Sequence, residues 1–368
     1  MRIALIHDYL TQFGGAERVL EALHELWPEA PIFTSLFNPA AFPEHWRTWD
    51  IRESALGRLP AARHHHRALL PLYPTAFAAF GRALASYDVI VSDTSAWAHQ
   101  AGNAGQLRVA YCHSPSRFLW GDESYLTPAR IPPTVRRAMD IGFARLRRID
   151  RRAAAELDVV VANSRAVAGR IEAIWERTAQ VVYPPIQTER FHPASPAEIE
   201  PFALVVSRLV PHKRIDLAID ACTATGRPLR IVGSGPAESQ LRRRAGPSVE
   251  FLGQRSDPET ADLMRRCRMF ILPGQEDFGI TAVEAQAAGR PVVAFRGGGA
   301  LESVIDGETG LLFDRQDAAS LARALDAAER TPWSAETCRA NAMRFTTPRF
   351  KEEISSIVEA AWRANHTY

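Results

Sequence analysis

In the segment PGQEDFGITAVEAQAAG, Glu276 and Glu284 are separated by seven residues, with Phe278, Gly279 and Ile280 between them at the expected start of a helix. Each carboxylate can accept two hydroxyl hydrogen bonds, and the first N–H groups of a helix have no acceptor within it. Such a set suits a polyhydroxylated ligand that also carries an anion. A capping acid followed by a surface glutamate explains Glu276 as well. It explains Glu284 poorly, because small apolar neighbours point to a largely buried helix, where a charge needs a partner or a ligand. Upstream, SRLVPHKR puts Arg208 and Lys213 in a loop after an apolar run. A guanidinium fork beside an ammonium point charge can hold a diphosphate, whereas a solvated basic turn needs no ligand. Lys213 and Lys351 are the only lysines among 44 basic residues, which sets Lys213 apart. Near the amino terminus, Gly14 and Gly15 in DYLTQFGGAER precede a helix. Glycine lets a backbone approach a ligand closely and a helix start attracts anions; a tight turn without a ligand is the alternative.

These residues need elements to hold them. Apolar, β-branched runs mark strands at Ile3 to His7, Val89 to Ser92, Val109 to Cys112, Val159 to Asn163 and Val181 to Tyr183, with helices such as Ala16 to Leu26 and Val135 to Leu157 between them. Continuous apolar strands separated by helices imply a parallel sheet covered on both faces. The run YPPIQTERFHPASPAEIEP then breaks both periodicities and reads as a linker. A second series follows, with strands at Leu204 to Ser207, Leu229 to Val232, Val249 to Leu252, Met269 to Leu272 and Val292 to Ala294, and helices at Ile215 to Ala221 and Ala282 to Ala288. The expectation is two doubly wound, Rossmann-like α/β domains facing across a cleft, with ligands beyond the carboxyl ends of the strands. The domains are expected at 1–185 and 186–346, with 347–368 as a terminal helix packing back on the first.

The composition narrows the classes. At 368 residues, with 46% apolar and 23% charged residues, one small module and a disordered chain are both excluded. With 44 basic against 42 acidic residues the net charge is +2, which lacks the strong positive field of a general nucleic-acid binder. Cys112, Cys222, Cys267 and Cys338 show no zinc, redox or disulfide spacing. MRIALIHDYL lacks the pattern of a signal peptide, and no run reaches the ~20 apolar residues of a membrane span, so a cytoplasmic protein is expected. The histidines of RHHHR at 63–67 read as a solvated loop rather than a metal site. Val135 to Arg152 alternates apolar residues with arginines at helical spacing. It fits a helix covering a sheet, and leaves open peripheral contact with anionic lipid at the inner face of a membrane.

Taken together, the segments GGAE at Gly14, YCHSP at Tyr111, SRLVPHKRID at Ser207, GSGP at Gly233, EDFGITAVEAQAAGRPVVA at Glu276 and DGETGLLF at Asp306 resemble the retaining glycosyltransferases of family 4, which have the GT-B fold. The resemblance runs through nearly the whole chain in the family's order. It implies a nucleotide-sugar donor and no metal or other cofactor required by the chemistry. It further implies that Gly14, Gly15 and Gly233 serve the donor site, Gly15 through its N–H to the diphosphate, and that Arg208 and Lys213 neutralise that diphosphate as it leaves. Glu276, with the N–H groups around Phe278, Gly279 and Ile280, would hold the donor sugar, and Glu284 the ribose. His113 would stand by the reacting centre, and the loop at Arg255 and Ser256 would take part in selecting the base. SPSRFLWGDESYL resembles a bacterial mannosyltransferase subgroup acting in cell-surface polysaccharide synthesis; there Arg117 and Trp120 fit the pattern for a glycan or lipid-linked acceptor, while Gly121 stands where an acid is expected and Asp122 follows. Phe118, Trp120 and Tyr125 could equally be hydrophobic packing of a loop. The subgroup favours GDP-mannose, with a UDP-hexose as the alternative. Two other classes are weighed against this. A dinucleotide oxidoreductase is disfavoured because GSGP lacks the third glycine of the fingerprint, and a non-catalytic sugar-nucleotide sensor because the diphosphate and carboxylate set is complete.

Overall fold

The structure, a computed structural model, describes residues 1–59, 62, 63, 69, 71–121 and 133–366, without the side chains of 133–136 and 138. His64, His65, His66, Asp122 and Tyr125 therefore lie outside the described residues. The chain divides into two compact units, Met1–Tyr183 with Lys351–Tyr368, and Pro184–Phe350.

In the first unit, strands β1 (Ile3–His7), β2 (Ile32–Thr34), β3 (Ile51–Glu53), β4 (Val89–Thr94), β5 (Leu107–Cys112), β6 (Val159–Ala162) and β7 (Gln180–Val181) form one sheet in the order β3-β2-β1-β4-β5-β6-β7. Every described pairing in it is parallel. The helices are α1 (Gly15–Leu26), α2 (Tyr73–Ala78), α3 (Gly81–Leu84), α4 (Arg117–Trp120), α5 (Pro133–Ala155) and α6 (Arg165–Trp175). Ala4 and Ile6 of β1 point into one apolar cluster with Phe33, Tyr73, Phe77 and Ile90, while Ala110, Cys112, Val160 and Ala162 belong to another. Two covered faces explain why the central strands read as unbroken apolar runs. The expected strands are all present, with ends shifted by a residue or two. Missing from the sequence reading were β2 and β3, each three residues long. β3, Ile-Arg-Glu, is a partly exposed edge strand with little apolar signal.

The second unit repeats the plan with β8 (Ala203–Val206), β9 (Leu229–Val232), β10 (Val249–Gly253), β11 (Met269–Leu272), β12 (Val292–Phe295) and β13 (Gly310–Phe313), ordered β10-β9-β8-β11-β12-β13 and again parallel. Its helices are α7 (Ile215–Thr225), α8 (Glu238–Arg244), α9 (Asp257–Arg266), α10 (Ile280–Ala287), α11 (Ala300–Ser303), α12 (Ala318–Arg330) and α13 (Ala335–Ala342). The long terminal helix α14 spans Thr347–His366, and its residues from Lys351 onward belong to the first unit, where Lys351 Nζ lies 2.6 Å from Glu25. In both sheets the strand order turns back beside the first strand, between β1 and β4 and between β8 and β11. A doubly wound sheet leaves room for a ligand beyond its carboxyl edge at that point.

One buried carboxylate ties α5 to the rest of the first unit. Asp150 is wholly buried, and its Oδ2 accepts the indole N–H groups of Trp120 and Trp175, each at 2.8 Å, while His99 Nε2 lies 3.2 Å from Oδ1. Removing the acceptor leaves two indole donors without their partner, at about 1–3 kcal/mol for each buried unpaired group. Asp150→Ala is expected to lower unfolding stability by about 3 kcal/mol or more in urea titrations. A loss below about 1 kcal/mol would show that the indoles find other acceptors.

Candidate active site

At the carboxyl edge of the second sheet, the loops after β8, β9 and β11 converge. Their closeness depends on residues without a Cβ. A Cβ on Gly233 would stand 1.9 Å from the Ser207 carbonyl oxygen, and one on Gly274 2.8 Å from that of Lys213. Gly233 also has φ +126°, a left-handed conformation that side chains other than glycine's rarely adopt. The loop carrying Arg208 and Lys213 is thus pressed against both neighbours. Lys213 Nζ forms a direct ion pair with Glu276 Oε2, the two side chains being 22% and 14% exposed. Arg208 lies exposed on the same loop. The cation expected at the diphosphate and the acid expected at the donor sugar are therefore in contact, although 63 positions apart in sequence.

Glu276 is positioned by its backbone. It bridges to Gly298, and its carbonyl accepts from the Gly299 N–H at 3.0 Å. Phe278 is buried with its ring 5.2 Å from that of Phe345, which anchors the turn into α10. Gly279, at φ +91°, caps that helix with no side-chain cap, so no capping side chain occupies its first N–H groups. Glu284 is half-buried on α10 among Ala282, Val283, Ala285 and Ala287, all of them buried. On the same helix the fully buried Gln286 is held by the Ala282 and Ser303 carbonyls, and its own oxygen accepts from Asn341 at 2.6 Å. The second acid of the pair thus stays half-accessible on a helix that is otherwise fixed. Beyond β10, Ser256 caps α9. Its N–H and hydroxyl both donate to Glu259, at 2.9 and 2.6 Å, and these bonds hold that exposed carboxyl below its ordinary range. Arg255 beside it is exposed.

The first unit places Gly14 at the N-cap of α1 in an extended conformation with no side-chain cap, and Gly15 as the first helical residue. α1 lies over β1 and β4. His113 follows β5, with its Nε2 2.6 Å from Asp93 Oδ1. Asp93, wholly buried on β4, meets His7 Nδ1 of β1 at 2.8 Å through its other oxygen, and His7 Nε2 lies 3.8 Å from Glu17 Oε1 of α1. Register explains this row: His7 is paired with Asp93, and Asp93 with Tyr111, so all three share one face at the carboxyl edge.

Two family models match the chain: Glycosyltransferase Family 4 over residues 13–190 and Glycosyl transferases group 1 over residues 187–345. This chain belongs to the family 4 glycosyltransferases. A GDP-mannose-dependent alpha-(1-6)-phosphatidylinositol monomannoside mannosyltransferase of Mycobacterium tuberculosis is 28% identical over 84% of this chain and 81% of its own length. An uncharacterized glycosyltransferase of Methanocaldococcus jannaschii is 30% identical over 44% of this chain and 46% of its own. A D-inositol 3-phosphate glycosyltransferase of Corynebacterium kroppenstedtii is 38% identical over 32% of this chain and 27% of its own. The chain thus spans about half or less of these last two curated relatives. Among solved structures, Anabaena HepE in complex with UDP aligns with a TM-score of 0.72 at 22% identity, over 98% of this chain and all of that one. Sucrose-phosphate synthase from Thermosynechococcus elongatus aligns equally well at 20% identity. The fold is GT-B, as the sequence implied.

Within this family 4 chain, the aromatic loop after His113 is used internally. Phe118 packs 5.4 Å from Trp97, and Trp120, besides its bond to Asp150, lies under the guanidinium groups of Arg147 and Arg151. Both half-buried rings thus have packing partners within their own unit. Arg117 sits half-buried at the start of α4. The basic helix α5 also turns inward, Arg147 donating to the Leu119 carbonyl and Arg151 to that of Ile174, both at 2.7 Å. Among the described residues no helix is long and apolar enough to cross a membrane.

Sequence reading missed Asp93, His7 and Glu17 as members of one cluster, because each lies on a separate element. The IHD at the end of β1 and the SDT in β4 were the available signal, being polar endings of otherwise apolar strands. Burial opposes the charge on His7, but hydrogen bonds to Asp93 and Glu17 outweigh it and lift the ring to about 10. Burial likewise opposes the charge on Asp93, which the His113 charge and bonds to both rings nonetheless hold below the usual carboxylate range. An imidazole that gains a proton more readily folded than unfolded stabilises the fold fully below about pH 6.5, and that contribution is lost as pH rises through about 10. His7→Gln is expected to lower the thermal midpoint most near pH 6 and least near pH 10, read by calorimetry against the unaltered protein. An equal loss at both pH values would rule out a charged His7.

Proposed function

We propose that this chain transfers a hexose, with retention, from a nucleotide sugar to a glycan or lipid-linked acceptor, and that the donor is GDP-mannose. The contact of Lys213 with Glu276 carries the reading: it sets a diphosphate-binding cation beside a carboxylate able to hold sugar hydroxyls, at the carboxyl edge of a doubly wound sheet. The Mycobacterium tuberculosis relative's GDP-mannose dependence supports the choice of donor, and the UDP bound by HepE keeps a UDP-hexose as the second choice.

In this reading the bond from the sugar's anomeric carbon to the diphosphate breaks with its electron pair going to the phosphate oxygen. Arg208 and Lys213 meet the charge that develops there, the kind of fixed electrostatic stabilisation that lowers a barrier most. The first N–H groups of α1 at Gly15, together with the backbone at Gly14 and Gly233, add donors. Glu276 and the N–H groups at Phe278, Gly279 and Ile280 orient the sugar, Glu284 accepts from the ribose hydroxyls, and the backbone beside Arg255 meets the base. His113 stands at the reacting centre and Arg117 at the acceptor. The acceptor hydroxyl forms the new bond on the same face, and its proton passes to the departing phosphate. No side chain need act as covalent nucleophile, and two cations in the loop do the work a metal would otherwise do at the leaving group. A lipid-linked acceptor would bring the exposed Arg145 and Arg148 of α5 toward an anionic surface.

Thermal-shift titrations with GDP, UDP, ADP and dTDP test the donor. A nucleotide at a hundred times its Kd stabilises the fold by about 2.7 kcal/mol, and GDP is expected to give the largest shift. Lys213→Ala is expected to reduce transfer from GDP-mannose on the order of 10²-fold while keeping its fold. Near-normal transfer in that variant would take Lys213 out of the chemistry, and a larger shift with UDP would replace the donor.

A further inference from the structure

Glu17, His7 and Asp93 have no part in the reading above, yet all three are buried charges, and they run in one row to His113. The row starts in the first turn of α1, directly after Gly14 and Gly15, and ends in a ring whose side chain is 13% exposed. Because Asp93 takes Nε2 of His113, Nδ1 is the nitrogen left to meet a ligand. Two carboxylates and two imidazoles in a buried row balance only when both rings carry a proton; a neutral ring would leave an uncompensated anion where that is costly.

We propose that Asp93 is a positioning residue, holding His113 through Nε2 as an imidazolium so that its Nδ1–H is presented as a charged hydrogen-bond donor to a ligand oxygen. The ligand oxygen belongs to the transferred sugar or the departing phosphate, so the inference rests on the glycosyltransferase reading. His7 has the complementary task of standing between two carboxylates, neutralising Glu17 beside the anion-attracting start of α1 and Asp93 beneath His113. Two neighbours of the row have partners elsewhere. Tyr111, with its ring 5.4 Å from that of His113, donates its hydroxyl to the Val182 carbonyl, and burial pushes the phenol well up, so it stays neutral. Asp8, next along from His7, accepts instead from the N–H groups of Ser95, Trp97 and Ala98 at 2.5 to 2.7 Å. Burial alone would push the His113 ring down; the charge of Asp93 and the bond to it raise the ring above the ordinary histidine value of 6.5.

Nitrogen-15 spectra of the histidine rings in the full chain test this without any substrate, His113 being assigned from the signals lost in His113→Gln. At about pH 7.5 the His113 ring is expected to be an imidazolium in the unaltered protein and neutral in Asp93→Asn. In that variant, kcat for transfer from GDP-mannose should fall on the order of 10²-fold at the same pH, with KM little changed, and recover in part near pH 5.5 as the ring regains its proton. A merely structural carboxylate would produce neither the spectral change nor the recovery in acid. A neutral His113 in the unaltered protein overturns the proposal even if Asp93→Asn does not fold, and so does an imidazolium unaffected by Asp93→Asn. Should GDP-mannose not be turned over at all, that result bears on the donor assignment alone, and the spectra still decide the role of Asp93.

Discussion

A parallel strand covered on both faces has no room for an unpaired charge along its length, because desolvating that charge would cost more than its packing returns. Polar chemistry is therefore confined to strand ends and the loops beyond them, and both units obey this. β1 is apolar until His7, β4 until Ser92 and Asp93, and in the second unit Arg208, Lys213 and Glu276 lie past the last residues of β8 and β11. The reversal of strand order beside β1 and β8 then determines which loops can gather. Every proposed contact with a nucleotide sugar comes from segments that this constraint brought to a carboxyl edge.

The two edges solve the problem of holding charge differently. In the second unit the partners are half-accessible: Lys213 and Glu276 neutralise one another across two loops, in a setting where a ligand's diphosphate and hydroxyls can take over their contacts. In the first unit the charges are sealed in. Asp93, His7 and Glu17 are all buried, and only the His113 ring at the end of the row reaches the surface. A sealed row resists rearrangement because no water can replace a lost partner. The first arrangement suits groups that must exchange partners with a substrate, and the second suits a group that must keep one charge state.

Away from the edges, structure accounts for residues that chemistry could have claimed. Trp120 has the character of a sugar-stacking residue, but its indole N–H is committed to a carboxylate shared with Trp175 and its ring lies under two arginines. Ser256 likewise has both its polar groups in a capping box. In each case a partner a few residues away, or one on a neighbouring helix, holds the polar group in place.

The sequence alone determined the fold class, the order of the two α/β series, and the chemistry of the second unit, because those signals are local: apolar runs, a lysine among arginines, two acids bracketing a helix start. β2 and β3 escaped it, being only three residues long, and so did the apolar edge strand β13. Only the tertiary structure decided that Lys213 meets Glu276, that Trp120 answers to Asp150, and that His7, Asp93, Glu17 and His113 are one row. Those pairings depend on strand register and on loops pressed together at glycines, and long-range register leaves no periodic trace in the chain.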